Sequence, residues 1–72
     1  MIAALEEAIK ASAKESRIVA VDGKMTDITT LMRKLWAMDL VDDVDCSEEN
    51  DGSWDVFGET DDGDEFRLRV RF

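Results

Sequence analysis

The stretch DDVDCSEENDGSWDVFGETDDGDEFRLRVRF, residues 42–72, decides the fold. Two turn signals, Asn50-Asp51-Gly52 and Asp61-Asp62-Gly63, divide it into three alternating segments, about 42–48, 53–60 and 64–72. A period of two marks strands with one buried face. Asp-Gly invites a two-residue hairpin loop, but the phase of the side chains rejects it. A two-residue loop at Asp62-Gly63 sets Val56 opposite Arg69 and Trp54 opposite Arg71, which brings arginine onto the apolar face. A three-residue loop sets Gly58 opposite Phe66, Val56 opposite Leu68 and Trp54 opposite Val70. Such a loop is a type I turn followed by a left-handed residue, the place glycine fills. By the same rule the first turn sets Cys46 opposite Val56 and Val44 opposite Gly58. A slip of one residue would turn every apolar side chain outward, so the register is strongly specified.

This register predicts an inner face of Val44, Cys46, Trp54, Val56, Phe66, Leu68, Val70 and Phe72. The outer face then carries Asp43, Asp45, Ser47, Asp55, Phe57, Glu59, Arg67, Arg69 and Arg71. On it Asp55 is expected to pair with Arg69, Phe57 to stack against Arg67, and Ser53 to face Arg71. The arginines would also guard the last strand if it were a sheet edge. Cys46, among apolar neighbours, reads as an inert buried thiol.

Upstream, Ile2, Leu5, Ile9 and Ala13 recur at helical spacing with Glu6, Glu7, Lys10 and Lys14 on the other side, predicting a helix over about 2–15. Arg17 to Val21, β-branched and closed by Asp22-Gly23, predicts a short strand. Thr26 as N-cap and the stripe Ile28, Leu31, Met32, Leu35 and Met38 predict a second helix over about 27–38. Trp36 borders that stripe and is expected at the core edge. A hairpin at Asp22-Gly23 returning through Lys24 to Thr26 is the alternative lead-in. The expected fold is α+β: two layers, two helices on one face of an antiparallel sheet. Its order is α-β-α-β-β-β, ending in a three-stranded meander, as a single domain over 1–72. The early strand is expected at a sheet edge.

Charge is strongly segregated. Of 18 acidic residues, thirteen fall between Asp39 and Glu65, a stretch without one Lys or Arg; the rest of the chain holds five acids and all 9 bases. Direct binding to nucleic acid is therefore not expected. A winged-helix reading fails because only one helix fits between the early strand and the hairpins, and the would-be wing is acidic. With no His, no Tyr and no recognisable nucleophile-base pair, an enzyme is not expected and no catalytic residue is assigned. One Cys and no His exclude a zinc ligand set, and neither acidic loop fits the Ca²⁺-loop pattern. No metal or other cofactor is expected. The lone Cys, the absence of a signal peptide and the absence of a long apolar run point to a cytoplasmic protein with no membrane segment.

What remains is a small acidic protein-interaction module. Its expected partner is a basic protein surface, in the sharpest form the nucleic-acid-binding groove of another protein, occupied by an inhibitor of phage or mobile-element type. The residues assigned to that contact are Asp43, Asp45, Asp55, Phe57, Glu59, Asp61 and Asp62, with Phe57 as aromatic anchor. A homodimer is compatible with the chain. The competing expectation is an acidic housekeeping or oligomerisation domain whose charge serves solubility, as in halophiles; eleven of the acids are Asp.

Overall fold

A computed structural model describes residues 2–22 and 27–71, and the side chains from Leu5 onward within that range. The order is α1 (Ile2–Glu15), β1 (Ile18–Asp22), α2 (Ile28–Trp36), β2 (Val41–Glu48), β3 (Trp54–Thr60) and β4 (Glu65–Arg71). Both glycine-ended turns form as the phase requires. Gly52 and Gly63 each have φ of 86°, the left-handed conformation that costs a side-chain-bearing residue free energy. The loops close with Glu49 N–H on the Ser53 carbonyl and Thr60 N–H on the Asp64 carbonyl, both 2.8 Å. Cys46 lies opposite Val56, Val44 opposite Gly58, Val56 opposite Leu68 and Trp54 opposite Val70. Phe72, expected on the inner face, lies outside the described residues, as does the alternative hairpin arm at 24–26.

The sheet is mixed, which corrects the all-antiparallel expectation. Strand order is β1-β4-β3-β2, and β1 runs parallel to β4, with Ile18 opposite Arg67 and Val21 opposite Val70. β4 is therefore interior, and its arginines do not guard an edge. β1 does take an edge, as expected, and β2 takes the other. The parallel crossover is provided by α2 with the β2–β3 hairpin, so it spans most of the chain.

α1 packs over β4 and β1, and α2 over β2. Leu5, Ile9, Leu31, Leu35, Val56, Leu68 and Val70 are essentially sealed from solvent. The N-cap of α2 is Asp27, not Thr26, and its carboxylate accepts the Thr30 N–H at 2.7 Å. This bond holds the Asp27 carboxyl below its ordinary range. α1 ends at Ser16, left-handed at φ 52°, while Arg17 N–H returns to the Ser12 carbonyl at 3.3 Å. That pattern is a Schellman termination with serine where glycine is commoner.

Ser12 is the joint between α1 and the sheet. It is buried, and its hydroxyl accepts the Arg67 N–H at 2.7 Å and donates to the Arg17 carbonyl at 2.6 Å. The hydroxyl thus sits where a direct β1–β4 ladder bond would run. Gly58 is the other tight point: a Cβ there would lie 2.0 Å from the Asp43 carbonyl oxygen, beside the irregularity between Val41 and Asp43. Glycine lets β2 come that close.

Candidate interaction surface

Helices cover one face of the sheet and leave the other open. The register arranges that open face in cross-strand rows. One row is Asp43, Glu59 and Glu65, on β2, β3 and β4, each directly opposite the next. The neighbouring row is Asp45, Phe57, Arg67 and Ile18. The next is Ser47, Asp55, Arg69 and Ala20.

Directly opposed like charges destabilise a sheet, and Asp43, Glu59 and Glu65 form three in line, spaced about 4.8 Å apart by the strand separation. The same end of the sheet carries Asp39, Asp42, Asp61, Asp62 and Asp64, all exposed. Among the described residues none of these eight carboxylates forms an ion pair; the pairs present are Arg17–Glu15, Arg67–Asp55 and Arg71–Asp51. The opposite end is compensated. There Arg71 lies 3.5 Å from Asp51, and the Ser53 hydroxyl and N–H, with Arg71 beyond them, hold the Asp51 carboxyl below its usual range.

Beside the carboxylate row lies an open concavity of about 680 Å³ lined by Arg17, Ile18, Asp43, Phe57, Glu59 and Arg67, among others. Phe57 is 38% exposed and Ile18 45%, two apolar side chains in one cross-strand row of a charged surface, Ile18 at its edge. Arg67, between them, is turned away from the acids. Its Nε lies 3.0 Å from both Asp55 oxygens and a terminal nitrogen 2.5 Å from Oδ2. The pair Asp55–Arg67 replaces the ion pair expected from straight pairing, Asp55 with Arg69, while Phe57 lies opposite Arg67 as expected.

Four of the seven assigned contact residues, Asp43, Glu59, Asp61 and Asp62, come together at the acidic end, and Phe57 borders them. Asp45 is exposed, but its carboxylate accepts the Cys46 N–H at 2.8 Å. Asp55 is only 3% exposed and spent on Arg67, so it offers a partner nothing. Glu65 and Ile18 were not among the assigned residues. Glu65 was within reach, because the three-residue loop that pairs Gly58 with Phe66 also pairs Glu59 with Glu65. Ile18 joins the patch only through the parallel placement of β1.

Two further expectations change. Trp36 is 53% exposed, not core edge, and borders an apolar groove of about 620 Å³ with Ile28, Met32, Cys46 and Trp54. Cys46 is half-buried there, and burial together with the Asp45 carboxylate raises its thiol pKa, away from nucleophile character. Among the described residues no group of His, Cys, Asp or Glu is arranged to hold a metal ion. Among the described residues no helix is long and apolar enough to cross a membrane. No protein-family model, characterised protein or solved structure matches the chain.

Proposed function

We propose that this protein is a non-enzymatic interaction module whose acidic sheet end docks onto a basic surface of a partner protein. The observation that carries the reading is the row Asp43–Glu59–Glu65. Three opposed carboxylates, with no ion pair to any of them among the described residues, cost stability. A basic partner would recover that cost. Phe57 and Ile18 supply desolvated contact area beside the charge, the arrangement of an interface anchor inside a polar rim. The most specific form of the reading is an inhibitor occupying the nucleic-acid-binding groove of its target, of the kind phages and mobile elements deploy. One charge per ~4.8 Å along the row is sparser than the one per about 1.7 Å of duplex DNA. The imitation is therefore of local charge and not of a duplex.

The test is affinity capture from host lysate at low salt, with the native protein and the Asp43→Lys/Glu59→Lys/Glu65→Lys variant as baits. The reading requires a nucleic-acid-binding protein retained by the native bait alone and released by added duplex DNA. Identical captures by both baits would remove it. The competing reading, a charge that serves solvation only, draws on the eleven aspartates among the 18 acids. It requires that charge reversal alter salt-dependent stability and no binding event.

A further inference from the structure

We infer that the free edge of β1 is a self-association surface, where two copies of this chain join into one continuous sheet across a two-fold axis at Ala20. The inference does not rest on the partner-docking reading: it uses the outward backbone groups of β1, and Ile18 borders both surfaces.

The two open edges are unlike. On β2 the closing bond from Glu49 to Ser53 fixes the alternation, so residues 43, 45 and 47 bond to β3 and 44, 46 and 48 face outward. The outward Cys46 N–H is already taken by the Asp45 carboxylate. Asp42, Asp43, Asp45 and Glu48 line that strand, and an irregularity interrupts it. These are the features by which an edge resists pairing. β1 has fewer of them: Ile18, Val19, Ala20 and Val21 are uncharged and unbroken, Ile18 is 45% exposed, and the one acid, Asp22, stands at the strand's end.

The backbone of β1 is also self-complementary. The bond from Thr60 to Asp64 turns residues 66, 68 and 70 toward β3 and residues 67, 69 and 71 toward β1. Arg69, opposite Ala20 in the parallel pair, then bonds to Val19 and Val21. The N–H and C=O groups of Ile18, Ala20 and Asp22 are left facing the free edge. An antiparallel pairing about Ala20 sets Ala20 opposite the partner's Ala20 and Ile18 opposite the partner's Asp22. Every outward group of the strand finds its counterpart.

The helix layer accepts the same symmetry. α1 lies over β4 and β1, whose axes are about 4.8 Å apart, so the two copies of α1 come to lie about 10 Å apart, a helix-packing distance. Glu6 and Lys10 face α2 across a hollow they share with Lys34 and Ala37. The opposite flank, carrying Ala11, therefore faces the junction, and alanine permits the approach. Charge selects this edge as well. The two-fold sends the two acidic ends to opposite corners and leaves both β2 edges outermost, whereas pairing through β2 would press acid against acid.

Sedimentation velocity over a concentration series tests the assignment. The native chain is expected to pass from monomer to dimer. Ala20→Pro removes one outward N–H and no β1–β4 bond, so it should abolish the dimer while keeping the far-UV spectrum and Tm. Ala11→Arg, which wedges the helices apart and leaves β1 untouched, should abolish it too. A native chain that stays monomeric at the highest concentration, or a folded Ala20→Pro variant that dimerises like the native chain, would overturn the inference.

Discussion

Asp55 is gripped by Arg67, its diagonal neighbour on β4, and not by Arg69, which lies directly opposite. The two ends of this contact differ in solvent access: the Asp55 side chain is 5% exposed and that of Arg67 56%. Removing Asp55 releases an arginine into water, whereas removing Arg67 strands a carboxylate under the surface. Arg67→Ala should therefore lower Tm more than Asp55→Asn, and the double variant should recover part of the Arg67→Ala loss. Thermal melts of the four proteins in a mutant cycle decide it; equal losses from the two single variants would contradict the geometry.

The carboxylate row separates stability from binding. Glu59 lies opposite both Asp43 and Glu65, so Glu59→Gln relieves two repulsions at once. Its Tm should exceed that of the native protein at low salt, and the difference should shrink at high salt. Affinity for the proposed basic partner should fall in the same variant. A Tm at or below the native value would show that the row carries no strain.

Ser12 reaches across 55 positions of sequence to Arg67. Ser12→Ala leaves the Arg67 N–H and the Arg17 carbonyl without their shared partner in a buried joint, and should cost about 1–3 kcal/mol. Chemical denaturation reads the loss. Ser16→Gly, at the left-handed end of α1, should act oppositely and stabilise by about 0.5–1 kcal/mol.

Part of the acid sensitivity should trace to Asp27 and Asp51, whose carboxyls the Thr30 N–H and the Ser53 groups hold below their ordinary range, as Arg17 does that of Glu15. A lowered folded pKa contributes stability above the unfolded value near 3.8 and loses it as pH falls through the depressed one. The Tm of the native protein should drop below about pH 4, and Asp27→Asn/Asp51→Asn should flatten that limb. Superimposable acid limbs would refute the assignment.

The meander was legible in the sequence because its rules are local. Two glycines, an alternation and a loop-length choice determine the pairings of Val56 and Trp54 on both sides. The position of β1 was not legible, since nothing in Ile18–Val21 says whether it joins β2 or β4, or in which direction. That one non-local fact moved β4 inside the sheet and brought Ile18 to Phe57. Asp55 shows a different limit: alternation assigns a residue to a face, but not whether a long neighbour such as Arg67 will lie over it. Trp36 shows a third, for a helical stripe has soft borders and the sheet beneath determines which border is wet. The gathering of the acids at 43, 59, 61 and 62 at one end of the sheet was legible for the same reason as the strands and the turn that carry them.

Because β4 lies between β1 and β3, the β2–β3 hairpin can assemble early from neighbours in sequence, while α1 and β1 must wait for residues 65–71 to emerge from the ribosome. Until then the β4-facing edge of β3 and the apolar stripe of α1 are both uncovered. That interval, rather than the finished molecule, is where proteases and misassembly have their opening, and a substitution at Ser12 or Arg67 would lengthen it.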